Sequence, residues 1–184
     1  LKLIGVDRPD PRENLTWYDQ EMEEATDAYA QYIAETIAEA KKTCSDPCVM
    51  IEQRVDFSRW VPDGFGTADA VVVGSGHLWI TDLKYGTGVE VLAENNPQAS
   101  CYALGCIELL DDLYGIDTVT MQIFQPRRSH VSEWTVSKDE LLKWAEEVLQ
   151  PRNWPQPARA SSVPGITAAS ARPGTNAALG PTPS

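Results

Sequence analysis

No stretch of the 184 residues approaches the roughly 18 consecutive apolar side chains that a membrane-spanning helix needs, so no membrane partner is expected. Positive charge is scarce as well. Fifteen Lys and Arg stand against 27 Asp and Glu, and the net charge of −12 excludes long-range attraction to a polyanion. Any contact with nucleic acid must then be local. Arg54 with Arg59, and Arg127 with Arg128, are the only basic gatherings beyond a helix end, and solvated loop pairs explain each equally well. The first residue is Leu, and residues 1–16 show neither a basic segment nor an apolar one, so no signal peptide is visible and the chain is read as a cytoplasmic fragment. The spacing of Cys44, Cys48, Cys101 and Cys106 fits neither a zinc ribbon nor a redox CxxC, which leaves reduced, buried thiols as the expectation.

What is present is a core. A hydrophobic fraction of 42% with six Trp excludes a disordered chain, and the length suits one domain. In "WYDQEMEEATDAYAQYIAETIAEAKK", Met22, Ala25, Tyr29, Tyr32 or Ile33, and Ile37 recur at helical spacing, with acids early and Lys41-Lys42 at the end. "PCVMIEQRVDFS" alternates with the period of a half-buried strand, setting Val49, Ile51, Gln53, Val55 and Phe57 on one face and Met50, Glu52, Arg54 and Asp56 on the other. "GTADAVVVGSGHLWITDLKYG" reads as two strands around a Gly-Ser-Gly turn. "NNPQASCYALGCIELLDDLYG" has Asn96 as N-cap, Pro97 at the first helical position and Gly115 past the end. "DTVTMQIFQP" is a fourth strand, and the capping box from Ser137 to Glu140 opens a last helix. The expected order is α-β-β-β-α-β-α, an α+β fold. From Pro151 the composition turns to Pro, Ala, Ser, Gly and Thr without period, so residues 151–184 are expected to form a disordered tail.

If Ser75-Gly76 is a two-residue turn, Gly74 pairs with His77, and counting outward sets Val71 opposite Ile80 and Asp69 opposite Asp82. Lys84 follows two residues on, toward the same face. Opposed carboxylates at the end of an apolar surface require a shared proton, a cation or a metal. One explanation is an Asp-Lys salt bridge beside a solvated Asp at a strand end. The other is a Mg²⁺ or Mn²⁺ site, held by one or two carboxylates, with Lys84 orienting water or stabilising charge on a phosphate.

The series "GTAD", "DLK" and "QASCY" resembles the Asp…(Asp/Glu)-x-Lys…Gln-x-x-x-Tyr pattern of the PD-(D/E)XK nuclease superfamily, in its RecB-like exonuclease branch. The segments "VDFSRWVPDGFGTADAVVV" and "ITDLKYGTGVEVLAENNPQASCYALG" resemble, more narrowly, a phage and prophage family of unknown function placed in that branch. The resemblance spans roughly residues 18–150 and implies a restriction-endonuclease-like α-β-β-β-α-β core, a mixed central sheet flanked by helices, for a nuclease-like domain over 17–150 behind an N-terminal extension over 1–16. It implies that Asp69 and Asp82 ligate Mg²⁺ or Mn²⁺, with Glu52 as a weaker candidate, and that Lys84 is the catalytic lysine. Gln98 and Tyr102, i and i+4 on one helix face, are implied to meet DNA phosphates or brace the site, although spacing alone fits an ordinary helix surface equally well.

The expected activity is phosphodiester hydrolysis by a phage-derived exonuclease in a bacterial cytoplasm. Its partner is DNA, as linear duplex or single-stranded ends, together with an unidentified phage recombination protein. The rivals are a catalytically silent nucleic-acid-binding or scaffold domain and an endonuclease or resolvase on the same core. His77 in the turn and His130 in a loop are given surface roles. Two departures qualify the resemblance: the His or Glu that the branch carries on an earlier helix has no counterpart before Trp17, and its C-terminal iron–sulfur cysteines are missing, so no cluster is expected in this chain. Residues 160–173, "ASSVPGITAASARP", can be encoded by a string that in another frame reads Glu-Phe-Arg-Ala-Gly-Asp-His-Cys-Arg-Phe-Cys-Lys-Ala. A frameshift near residue 151 would account for the missing cysteines, and the nucleotide sequence decides it.

Overall fold

In a computed structural model of the chain, residues 19–149 are described. The extension expected over 1–16, the tail expected over 151–184 and the frameshift expected near 151 lie outside the described residues. Among the described residues three α-helices and five strands follow one another as α1 (Gln20–Ala40), β1 (Cys48–Asp56), β2 (Phe65–Gly74), β3 (His77–Leu83), α2 (Pro97–Tyr114), β4 (Thr118–Gln125), β5 (His130–Ser137) and α3 (Lys138–Val148), with a short 3-10 turn over Pro126–Arg128. The strands form one mixed sheet in sequence order. Only β3 and β4 are parallel. The α+β fold and its order through α2 and β4 are those expected.

Local chemistry explains the boundaries. Asn96 Oδ1 accepts from the backbone N–H groups of Gln98 and Ala99 at 3.0 and 3.1 Å, Pro97 opens α2, and Gly115 closes it in the left-handed conformation at φ 56°. Ser137 and Glu140 form the reciprocal capping box of α3. At the β2–β3 turn Ser75 (φ 49°) and Gly76 (φ 80°) are both left-handed, as a two-residue hairpin turn requires. The predicted register follows: Gly74 pairs with His77 and Val71 with Ile80.

The sheet separates two apolar layers. Val71 and Val73 of β2, Leu78 and Ile80 of β3, and Val119 and Met121 of β4 bury against Ala103, Leu104, Ile107 and Leu110 of α2 and Leu141 of α3. On the other side Val72 and Trp79 meet Ala40 and Ile37 of α1. The inward face of α1 differs in part from its sequence reading, because Met22 is exposed and Thr36 and Ala40 are buried.

Three expectations are corrected. First, β5 was not anticipated, and His130 begins this strand instead of lying in a loop; it pairs with Gln125. Second, His77 begins β3 and is half-buried, with its ring stacked 3.7 Å from that of Trp79 and Nε2 at 2.8 Å from Thr120 Oγ1. Third, β1 does not keep one face inward. Cys48 and Met50 turn toward the main core at one end, Val55 and Phe57 at the other, while Val49 and Ile51 are exposed. The switch falls at Glu52, whose φ of 53° reverses the alternation. Of the thiols, Cys106 is buried and the other three are half-buried; all are unpaired.

Candidate carboxylate site

The β2–β3 ladder runs from Gly74↔His77 to Ala70↔Thr81 and stops one pair short of the carboxylates. Continued, its register sets Asp69 opposite Asp82, and at that position the Asp69 side chain takes over the backbone's role: Oδ2 accepts the Leu83 N–H at 2.7 Å. Asp82 is buried at 6% exposure. Lys84, just past β3, is held by its own N–H on Phe124 O at 2.9 Å. Its Nζ lies 2.7 Å from Asp82 Oδ2 and donates to Gln98 Oε1 at 2.8 Å, and Gln98 Nε2 donates to the Tyr102 hydroxyl at 3.0 Å. Asp82, Lys84, Gln98 and Tyr102 thus form one continuous polar chain from β3 to α2. Tyr102 is seated by Gly66 of β2, where a Cβ would come within 2.4 Å of its ring.

Burial pushes the Asp82 carboxyl up from its ordinary pKa; the ion pair with Lys84 opposes that shift and the neighbouring Asp69 charge adds to it. The Lys84 contact satisfies charge more than direction. Asp82 Oδ2 is fully buried yet accepts no hydrogen bond of acceptable geometry.

Glu52 lies across β1–β2 from Asp69, between the pairs Ile51↔Ala70 and Gln53↔Ala68, but its side chain is exposed. Among the described residues no group of three or more His, Cys, Asp or Glu side chains is arranged to hold a metal. The hard oxygen donors brought together at the end of the ladder are those of Asp69 and Asp82, and Mg²⁺ or Mn²⁺ is commonly held by one or two carboxylates with water and a substrate phosphate. Asp82 Oδ2, charge-paired with Lys84 but without a hydrogen bond, is an oxygen that such an ion could share.

One group of the site was missed. Tyr29 of α1 reads in sequence as an apolar-face residue, yet its hydroxyl is buried without a partner. Burial, then the charges of Asp69, Asp82 and Glu52, push its pKa well above the ordinary tyrosine value. Only the tertiary packing could reveal this, because helical spacing marks the ring and not what its hydroxyl faces. A cavity of about 530 Å³ between α1 and the 3-10 turn, lined by Phe124, Arg127 and His130, includes neither Asp69 nor Asp82. Volume and chemistry therefore point to different places, and the buried, incompletely satisfied carboxylate gives the second more weight.

The arginines among the described residues are engaged. Arg54 lies 4.2 Å over the Phe65 ring, Arg59 pairs with Glu108 at 3.1 Å, Arg127 pairs with Glu21 at 2.6 Å, and Arg128 donates to Gly88 O at 2.7 Å. No helix among the described residues is long and apolar enough to cross a membrane. A family model described as "Protein of unknown function (DUF2800)" matches residues 6–163, most of the chain including every residue of the site, and the chain belongs to that family.

Proposed function

We propose that this chain is a metal-dependent DNA nuclease of the PD-(D/E)XK superfamily, in the RecB-like exonuclease branch, phage-derived and acting in a bacterial cytoplasm. The observation that carries the reading is the convergence at one strand end of Asp69, Asp82 and Lys84 with Gln98 and Tyr102, from three separate elements. Asp69 and Asp82 would hold Mg²⁺ or Mn²⁺, which when bound supplies Lewis acidity at the scissile phosphate. Lys84, braced by Gln98, places its ammonium where it orients the attacking water or offsets the negative charge that grows on the phosphate. Tyr102 and Gln98 meet the DNA backbone, which positions the strand without reading its sequence.

The test is degradation of end-labelled linear duplex with Mn²⁺, beside a closed circle of the same sequence. Loss of linear DNA alone supports an exonuclease; nicking of the circle supports an endonuclease or resolvase. Asp82→Asn and Lys84→Ala should each lower cleavage by at least about a hundredfold. Unchanged turnover in either folded variant refutes the assignment. The two-carboxylate donor set, without a third ligand among the described residues, favours a second reading: a silent nucleic-acid-binding domain that retains the fold. DNA binding without cleavage in any divalent metal would establish it.

A further inference from the structure

Tyr29 and Tyr32 stand three residues apart on α1, and both rings pack on Phe124, with centroids at 5.7 and 5.0 Å. Their hydroxyls fare differently. Tyr32 donates to Glu133 at 2.5 Å, whereas the Tyr29 oxygen is fully buried and has no hydrogen-bond partner. Its position follows from the strands. Phe124 is the β4 partner of Leu83, the residue between Asp82 and Lys84, and the Leu83 N–H is the one held by Asp69. Tyr29 is therefore fixed one strand from the carboxylate pair, on the sheet face opposite α2. Its environment is that of the site, since Asp69, Asp82 and Glu52 are the charges that act on it.

The Tyr29 hydroxyl is thus buried without a partner beside Phe124, whose strand partner Leu83 adjoins Asp82. A buried donor without an acceptor destabilises a fold, so native structures rarely retain one unless a water, an ion or a substrate group completes it. Asp82 Oδ2 has the Lys84 ammonium 2.7 Å away, so the group left wholly without a partner is the Tyr29 hydroxyl, which an oxygen ligand would complete.

We infer that Tyr29 is a positioning residue of the carboxylate site, whose hydroxyl reaches from α1 to hold an oxygen ligand of the divalent cation that Asp69 and Asp82 bind. The inference rests on the metal reading above, and adds to it that the site is closed from both faces of the sheet, by Gln98 and Tyr102 on one side and Tyr29 on the other. Groups that hold a metal's ligands typically control affinity by 10–100-fold.

The experiment is a Mn²⁺ titration of the full chain, followed by the electron paramagnetic resonance signal of free Mn²⁺, on the parent, Tyr29→Phe and Asp82→Asn, with a thermal melt of each in EDTA. Tyr29→Phe should raise the Kd by about 10–100-fold. It should also melt in EDTA no lower than the parent, because Phe keeps the packing on Phe124 and removes the unsatisfied hydroxyl. A Kd equal to the parent's, with binding lost in Asp82→Asn, overturns the role of Tyr29 and leaves the metal reading intact. A parent that binds no Mn²⁺ overturns both. A Tyr29→Phe protein that melts well below the parent in EDTA also refutes the inference, since the hydroxyl then has a structural role in the metal-free fold.

Discussion

Asp82→Asn should reverse its stability order against the parent according to whether Mn²⁺ is present. In EDTA the parent carries an ionised carboxylate that is 6% exposed, pushed up in pKa first by burial and then by Asp69. A carboxyl raised in the folded state binds its proton more tightly there than in the unfolded chain. Its favourable contribution is complete below the unfolded value, about 3.9, and is lost as pH rises through the folded value. At neutral pH the ionised group is therefore a net cost, and Asn avoids it. The attraction of Lys84 opposes that shift without reversing it, and in the variant the Lys84 side chain, 31% exposed, keeps its bond to Gln98. The variant should melt level with the parent or above it at pH 7, and the difference should close on acidification toward pH ~4. Mn²⁺ at a hundredfold excess over Kd then stabilises the parent alone by about 2.7 kcal/mol, roughly 10 °C for a domain of this size. Thermal melts at two pH values, with EDTA and with Mn²⁺, read all of this. A variant that melts lower in EDTA and gains equally from Mn²⁺ would reduce the site to an Asp82–Lys84 ion pair.

Gly66→Ala tests the seat of Tyr102: a Cβ 2.4 Å from the ring forces it aside, so equilibrium denaturation should record a loss of about 1–3 kcal/mol. Like Tyr102→Ala, it should weaken binding of labelled DNA evenly across sequences, and a sequence-dependent loss would mean that the tyrosine reads bases. His77 titrates below the ordinary histidine value, chiefly because of burial, so its contribution to stability falls as pH drops below about 6.5. His77→Gln should flatten that part of the pH–stability curve, and an unchanged slope would assign it to another group.

Much of the fold was legible because its signals are local. Asn96 and Pro97 at one end of α2 and Gly115 at the other act within a single turn, and Ser75-Gly76 fixes the hairpin register by itself. Continued outward, that register alone sets Asp69 opposite Asp82, with no tertiary contact needed. β5 was missed because it is an edge strand. Its inward residues His130, Ser132, Trp134 and Val136 are only half-buried and alternate with exposed ones, so "HVSEWTVS" carries no concentrated apolar signal. Tyr29 was missed for the opposite reason. Its spacing on α1 is that of a packing residue, and the ring does pack; what sets it apart is the absent partner of one oxygen.

The reversal at Glu52 had no signal at all, since a left-handed backbone is expected of Gly or Asn and not of Glu in mid-strand. Its consequence nevertheless reaches the chemistry. On β2 the residues facing the main core are Ala68 before the carboxylate and Val71 and Val73 after it, so the paired strands change face at the same step, Glu52 on one and Asp69 on the other. In a regular hairpin Asp69 would project beside Val71 into the α2 layer, where an unpaired charge is least tolerable. At the reversal it belongs to neither layer, and its carboxylate turns along the sheet to take the Leu83 N–H where the β2–β3 ladder ends. Asp82 meets Lys84, which is braced by Gln98 of α2, while Tyr29 packs on Phe124 from the α1 side. The strained residue and the site thus share one rung, since Glu52 stands opposite Asp69 at the step where both strands change face.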